Sequence, residues 1–230
     1  TYALLAQKEN LTKLFIPEKN AHEASIIDSI TIYPTPSLSK LLLHFTSDNT
    51  LSPMQHTTLA DHQKETVFDY DMQEIKGQHQ AKRAFEIAAA GAHNILLKGP
   101  PGAGKTLLAR TLPSILPDLT LSEALEVTKI HSIAGLLGGD ALLTKHPFRS
   151  PHHTTSLVGL IGGGTHLKPG EVTLAHRGVL FLDELPEFPR HVLEGLRQPI
   201  EDGFVFLSRA NGKVRFPAKC MLVAAQNPCP

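Results

Sequence analysis

Gly99-Pro100-Pro101-Gly102-Ala103-Gly104-Lys105-Thr106 is the stretch that decides how this chain folds. The octet fits G-x-x-x-x-G-K-S/T; a short apolar run over 94–97 leads into it and helical spacing resumes over 105–112. A strand, a glycine loop and a helix in that order are what a phosphate-binding loop requires. The glycines let backbone amides close round a β-phosphate, and the helix N-terminus adds further amides and about half a positive charge. Lys105 then reaches the β- and γ-phosphates, and the Thr106 hydroxyl can ligate Mg²⁺. Further apolar runs at 179–182 and 221–225 are too short for helices. They alternate with helical patterns at 78–90 and at 122–130, the latter with Ser122 as its cap. Buried strands alternating with helices predict an α/β fold, a parallel sheet flanked by helices on both faces.

Working outward, Gly178-Val179-Leu180-Phe181-Leu182-Asp183-Glu184 is an apolar strand ending in two carboxylates. Neighbours on a strand point to opposite faces, so the two acids can take different tasks. Asp183 is assigned to Mg²⁺ through its water shell and Glu184 to the attacking water as general base. The strand pattern before Asn227 ends in a polar amide that could bond a γ-phosphate, although Asn before Pro228 also suits a plain turn. Lys105 and Asp183 lie 78 residues apart. One helix, one strand and a second helix need about 45 to 55, so a segment is inserted between them. Asn211-Gly212, flanked by 204–210 and 213–216, predicts a two-residue hairpin. Pairing Ala210 with Lys213 puts Lys213 and Arg215 on one face and Arg209 on the other. These three are candidate nucleic-acid contacts, or else a solvated hairpin's guard against edge pairing.

Composition sets the bounds. The chain has 230 residues, 41% hydrophobic, with 22 Lys+Arg against 22 Asp+Glu, so any polyanion site must be local. Two cysteines, Cys220 and Cys229, are too few for a disulfide framework and point to the reducing cytoplasm. The longest stretch free of charged residues, 150–167, holds three histidines and four glycines and does not suit a bilayer span. Five histidines between His146 and His176 fit no zinc spacing. Residues 1–45 read as a helix through 1–15, a second helical pattern over 21–29, a strand over 30–34 and a strand or helix over 40–45. That is part of a domain, followed by a polar linker over 46–65 and a core over 66–230. The chain starts without Met and stops just behind a strand pattern, which reads as a fragment cut at both ends.

Together GPPGAGKT, GVLFLDE and VAAQNP resemble the Walker A, Walker B and sensor-1 elements of AAA+ ATPases. More narrowly, FRSPHHTTSLVGLIGGG, KPGEVTLAHRGVLFLDELPEF, LRQPIEDG and FPAKCMLVAAQNPCP resemble the magnesium-chelatase-like YifB/ComM family. The resemblance covers 69–230. It extends more loosely to FIPEKNAHEASIID, which is similar to the end of that family's Lon-protease-like N-terminal domain. It implies the roles given above to Lys105, Thr106, Asp183, Glu184 and Asn227, and adds Ile75 and Gln78 as walls around an adenine. It also implies an insertion within the second helix, somewhere in 154–169, which with the later hairpin faces the pore of a ring. An arginine finger, a sensor-2 arginine and a lid would lie past Pro230. By this resemblance the protein is a homo-hexameric, ATP- and Mg²⁺-dependent motor on branched or single-stranded DNA, a branch-migration helicase for homologous recombination of transforming DNA. A chelatase-type switch that remodels a protein partner is the alternative. A Lon-like protease regulator is a third, with no Ser-Lys dyad assignable in 1–45.

Overall fold

Asn10 takes a left-handed conformation at φ 55°, and there the helix expected over 1–15 has already ended. Asn is among the few side chains that tolerate this region, because its short amide bonds locally. In the computed structural model, which describes residues 2–47, 50–58, 61, 68–138, 142–164, 167–209 and 212–228, the chain falls into two units. These are Thr1–Glu65 with Gly139–Thr144, and Thr66–Gly138 with Lys145–Pro230. The first runs α1 (Tyr2–Lys8), β1 (Lys13–Pro17), α2 (Glu18–Ala24), β2 (Thr31–Thr35) and α3 (Leu38–Thr46). Leu14, Phe15 and Ile16, read as the end of a helix, form β1 and pair in parallel with β2. Branched and aromatic side chains suit the pleat. The polar segment read as a linker is also tied down over 50–58: Met54 N–H donates to Ile32 O (2.8 Å) and Thr57 N–H to Ser25 O (3.2 Å). Backbone pairing needs no apolar period, so the pattern could not reveal it.

The second unit contains a 3₁₀ turn at Met72–Glu74, α4 (His79–Gly91), β3 (Ile95–Lys98), α5 (Lys105–Arg110) and α6 (Leu121–Ala134). It continues through β4 (Phe148–Arg149), α7 (Leu157–Ile161), β5 (Gly162–Gly163), β6 (Lys168–Pro169), α8 (Glu171–Leu174) and β7 (Val179–Leu182). It ends with α9 (Arg190–Gly195), α10 (Arg197–Asp202), β8 (Phe204–Arg209), β9 (Gly212–Pro217) and β10 (Met221–Gln226). The main sheet has the order β3-β10-β7-β4, parallel throughout. All four residues of β7 are fully buried. Val179 and Phe181 pack with Phe85, Leu112 and Val223 on one face; Leu180 and Leu182 pack with Leu160, Val172 and Ala224 on the other. That double covering is why the run carries no alternation, and each such side chain contributes about 1.5 to 3 kcal/mol.

Two local readings need correction, and one strand carries no sequence signal. The N-cap of α6 is Thr120, not Ser122: Thr120 and Glu123 form a reciprocal capping box, and the helix continues past 130 to end at Gly135 (φ 75°). Strand β4 carried no pattern because it is two residues long, held by pairing Phe148 with Val179 and Arg149 with Leu180. In the later hairpin Arg209 pairs with Gly212 and Ser208 with Lys213, so the connection is 210–211 and not Asn211-Gly212. The shift places Val205 opposite Phe216, 2% and 7% exposed, and being of two residues it leaves every side chain on its own face. Lys213's partner moves by two residues, so Lys213 and Arg215 still share a face. The tip residues 210 and 211 lie outside the described residues.

The inserted segment is a small β5–β6 hairpin between α7 and α8, with Gly162 paired to Pro169 and Gly163 to Lys168. Gly162 sits at φ 107°, and a Cβ there would fall 2.7 Å from Lys168 O and 3.3 Å from Leu207 Cδ1, so this hairpin abuts β8. Among the described residues no helix is long and apolar enough to cross a membrane.

Candidate active site

The carboxyl ends of β3, β10 and β7 open at one edge of the sheet, where ligands bind in parallel α/β folds. β3 leads into the loop 99–104. Gly102 (φ 77°) and Gly104 (φ 79°) take left-handed conformations there, which lets the chain fold round its own amides before α5 starts at Lys105. Gly99 N–H donates to Gln226 O (3.3 Å), fastening the loop to the neighbouring strand. The Lys105 ammonium donates to Gly99 O (2.7 Å), Pro100 O (2.8 Å) and Asn227 Oδ1 (2.9 Å). The Thr106 hydroxyl donates to Asp183 Oδ2 at 2.6 Å. Residues 77 and 122 positions apart thus meet in one cluster.

The two carboxylates diverge for a different reason from the one expected. β7 stops at Leu182, so Asp183 and Glu184 lie beyond the strand. They separate because Glu184 is left-handed (φ 51°, ψ 48°) and its N–H is held by Asp183 Oδ1 at 2.9 Å. Glu184 Oε2 lies 3.5 Å from His153 Nδ1. The His153 ring is flanked by His152 at 4.0 Å and by the edge of Phe188 at 6.4 Å. His153 is the site residue that motif reading missed. The histidine run fits no zinc spacing and reads as polar-loop or nucleic-acid contacts, and nothing in it signals Glu184, 31 residues away.

Two cavities adjoin the cluster. One, of about 550 Å³, is lined by Lys98, His153, Glu184, Glu187 and Asn227. The other, of about 360 Å³, is lined by Ile75, Gln78, Leu97, Gly102 and Leu107. Ile75 and Gln78 therefore stand beside the glycine loop. Lys213 and Arg215 line neither cavity; they sit on the β8–β9 ribbon, as does Arg209 by its backbone.

Among the described residues no group of three or more His, Cys, Asp or Glu could hold a metal. Most of the histidines are engaged otherwise. His146 bonds the carbonyls of Arg177 and Pro117. His176, 1% exposed, accepts from Lys219 N–H on Nδ1, so Nε2 carries the hydrogen and donates to Glu126 (3.0 Å). Burial lowers the pKa of His176, and likewise of His131. Burial would raise Glu126, but hydrogen bonds from His176 and Arg177 outweigh it and hold the carboxylate low. A neutral ring donating to an ionised carboxylate satisfies both shifts. Burial pushes the Cys220 thiol up to about 12, and His166 and Cys229 lie outside the described residues.

The family model for magnesium chelatase, subunit ChlI, matches residues 71–230. The competence protein ComM of Haemophilus influenzae is 44% identical over 234 residues, covering 99% of this chain and 45% of that protein. The uncharacterised protein YifB of Escherichia coli is 52% identical over 164 residues, covering 71% of this chain and 32% of that one. The chain spans less than half the length of these curated relatives. Among solved structures, a model of the BchI–BchD complex of magnesium chelatase, based on a single-particle cryo-EM reconstruction, has a TM-score of 0.56 at 22% identity. The match covers 71% of this chain and 56% of that one, a likeness of fold.

Proposed function

The chain belongs to the magnesium chelatase ChlI family of AAA+ ATPases, and from that premise we propose that it is the nucleotide-binding core of an ATP-driven ring acting on DNA. One observation carries the ATPase part: adjacent residues after the glycine loop bond the ends of two other strands, Lys105 to Asn227 and Thr106 to Asp183. Thr106 Oγ1 and Asp183 Oδ2 are hard oxygen donors in contact with each other. That suits Mg²⁺, which takes one or two protein ligands and fills its shell with phosphate oxygens and water. Bound there, the ion would neutralise charge on the β- and γ-phosphates.

The remaining roles fall to side chains. Lys105 presents a point charge to the same phosphates in place of its present carbonyl partners. Asn227, just past the end of β10, the strand between β3 and β7, addresses the γ-phosphate and distinguishes nucleotide states. Glu184 takes the proton of the attacking water as general base. Ile75 and Gln78 flank the adenine.

The DNA part rests on less. Its support is the likeness to a competence protein and the cationic ribbon, and it takes the form of a cytoplasmic homo-hexamer that drives branch migration during recombination of transforming DNA. A second reading, remodelling of a protein partner without nucleic acid, is favoured by the match of residues 71–230 to the magnesium chelatase family model. The test is a gel shift of branched and single-stranded DNA by the full-length protein with ATP and Mg²⁺. Retarded DNA with DNA-stimulated phosphate release supports the motor; ATP turnover indifferent to DNA favours the remodelling switch.

A further inference from the structure

The β8–β9 ribbon has two faces of opposite character. Val205 and Phe216 turn inward and are buried, with Leu207 packed partly against the same core. By the strand alternation, the other face carries Phe204, Phe206 and Ser208 on β8 and Lys213, Arg215 and Pro217 on β9. Packing explains nothing about Phe206 there: it is 56% exposed in the middle of the outward face. Arg215 lies directly across from it in the ladder. The Arg215 guanidinium carbon is 4.0 Å from the Phe204 centroid and 5.8 Å from that of Phe206, and the two rings meet edge to face at 4.9 Å. One rung nearer the tip, Lys213 pairs with Ser208, both exposed. Among the described residues the face thus combines an open aromatic ring, a planar cation fixed beside it, an exposed ammonium and no acid.

We propose that this face is a base-stacking site for single-stranded nucleic acid. Phe206 receives an unstacked base, Arg215 holds the aromatic pair in place and extends its planar surface, and Lys213 contacts the adjoining phosphate. The proposal rests on the DNA reading above and narrows it to unpaired strands. A ring standing on a ribbon reaches base faces inside a duplex only by unstacking a base step, at a few kcal/mol, whereas an unpaired base of any identity offers a π-face without that cost. Arg215 is held flat by cation–π attraction, as its guanidinium allows and a lysine ammonium would not.

The test compares the affinity of the full-length protein for oligothymidylate, for the same backbone made of abasic units, and for a duplex. Wild type is expected to prefer oligothymidylate over the abasic strand by roughly tenfold or more, the contribution of one stacked base. Phe206→Ala abolishes that preference without changing the salt dependence, and Phe206→Trp keeps it. Arg215→Lys lowers the preference although the charge is retained; a phosphate contact alone would leave it intact. Equal wild-type affinity for the thymidylate and abasic strands, or an undiminished preference in Phe206→Ala, overturns the stacking site while leaving the DNA reading standing. Failure of wild type to bind any of the three strands overturns both and leaves the aromatic face to a protein partner.

Discussion

At the carboxyl ends of β3, β7 and β10 the polar groups face one another: Lys105 bonds Asn227, Thr106 bonds Asp183, and the glycine loop is fastened to Gln226. On the β8–β9 ribbon the polar and aromatic groups face solvent, with Phe206 exposed and Arg215 lying along the rings instead of reaching across to another element. The two regions share ingredients, a lysine, a glycine and short strands, yet differ in what holds them. The strand-end cluster is anchored by a sheet buried on both faces, so its groups are pre-positioned before anything binds. The ribbon is anchored on one face only. Pre-positioned groups suit chemistry that tolerates little displacement, and a one-sided ribbon suits contacts with a long, variable ligand.

The sharpest way to break this contrast is at the cluster. Lys105→Ala should abolish ATP binding by calorimetry, because it removes the ammonium held against the glycine loop by Gly99 O and Pro100 O. Glu184→Gln should keep ATP but reduce phosphate release by about 10² to 10⁴, the usual contribution of a general base. Equal ATP affinity for wild type and Lys105→Ala would sink the loop assignment, and retained turnover in Glu184→Gln the base assignment.

The next effect is on stability, with one residue type in two settings. Phe181→Ala removes a fully buried ring from the central strand and should cost about 3 to 5 kcal/mol in urea unfolding. Phe206→Ala, on the exposed face, should stay within about 0.5 kcal/mol. Similar losses at both positions would show the ribbon to be as tightly anchored as the sheet.

A smaller effect concerns pH. His176 and His131 are depressed from the ordinary 6.5, so the unfolded chain binds protons more readily and stability present above that pH declines as pH falls below it. Glu123 and Glu126, held below 4.5, extend the loss at lower pH; backbone and hydroxyl hydrogen bonds from Thr120 are the main cause for Glu123. Urea midpoints measured from pH 8 down to pH 4 should therefore fall monotonically. His176→Asn should flatten the upper part of that curve, and an unchanged curve would remove His176 from the account.

The smallest effect expected is in salt dependence. With Arg215 engaged on Phe204, Lys213 is, among the described residues of that face, the exposed cation open to a phosphate, so Lys213→Ala should flatten the slope of log affinity against log salt on single strands by about 0.7 per engaged contact. Parallel lines for wild type and variant would take Lys213 out of any phosphate contact.

Much of the fold was legible because its causes are local. The glycine loop announces itself since eight contiguous residues supply both the backbone freedom and the cation, and 179–182 announces a doubly covered strand since every residue in it is apolar. The first unit was less legible. Leu14 to Ile16 suited a helix by spacing until Asn10 is noticed as a helix-ending residue, and 50–58 is held by backbone bonds that leave no mark in side-chain type.

The sequence alone determined the α/β alternation, the phosphate loop and the acidic strand end, because propensity, period and motif act over a few consecutive residues. Tertiary structure alone decided which groups meet: Asn227 with Lys105, Glu184 with His153, and a ribbon register that sets Val205 against Phe216 in place of the favoured turn. These pairings join residues far apart along the chain, and their geometry follows from strand order and core packing, which no local pattern encodes.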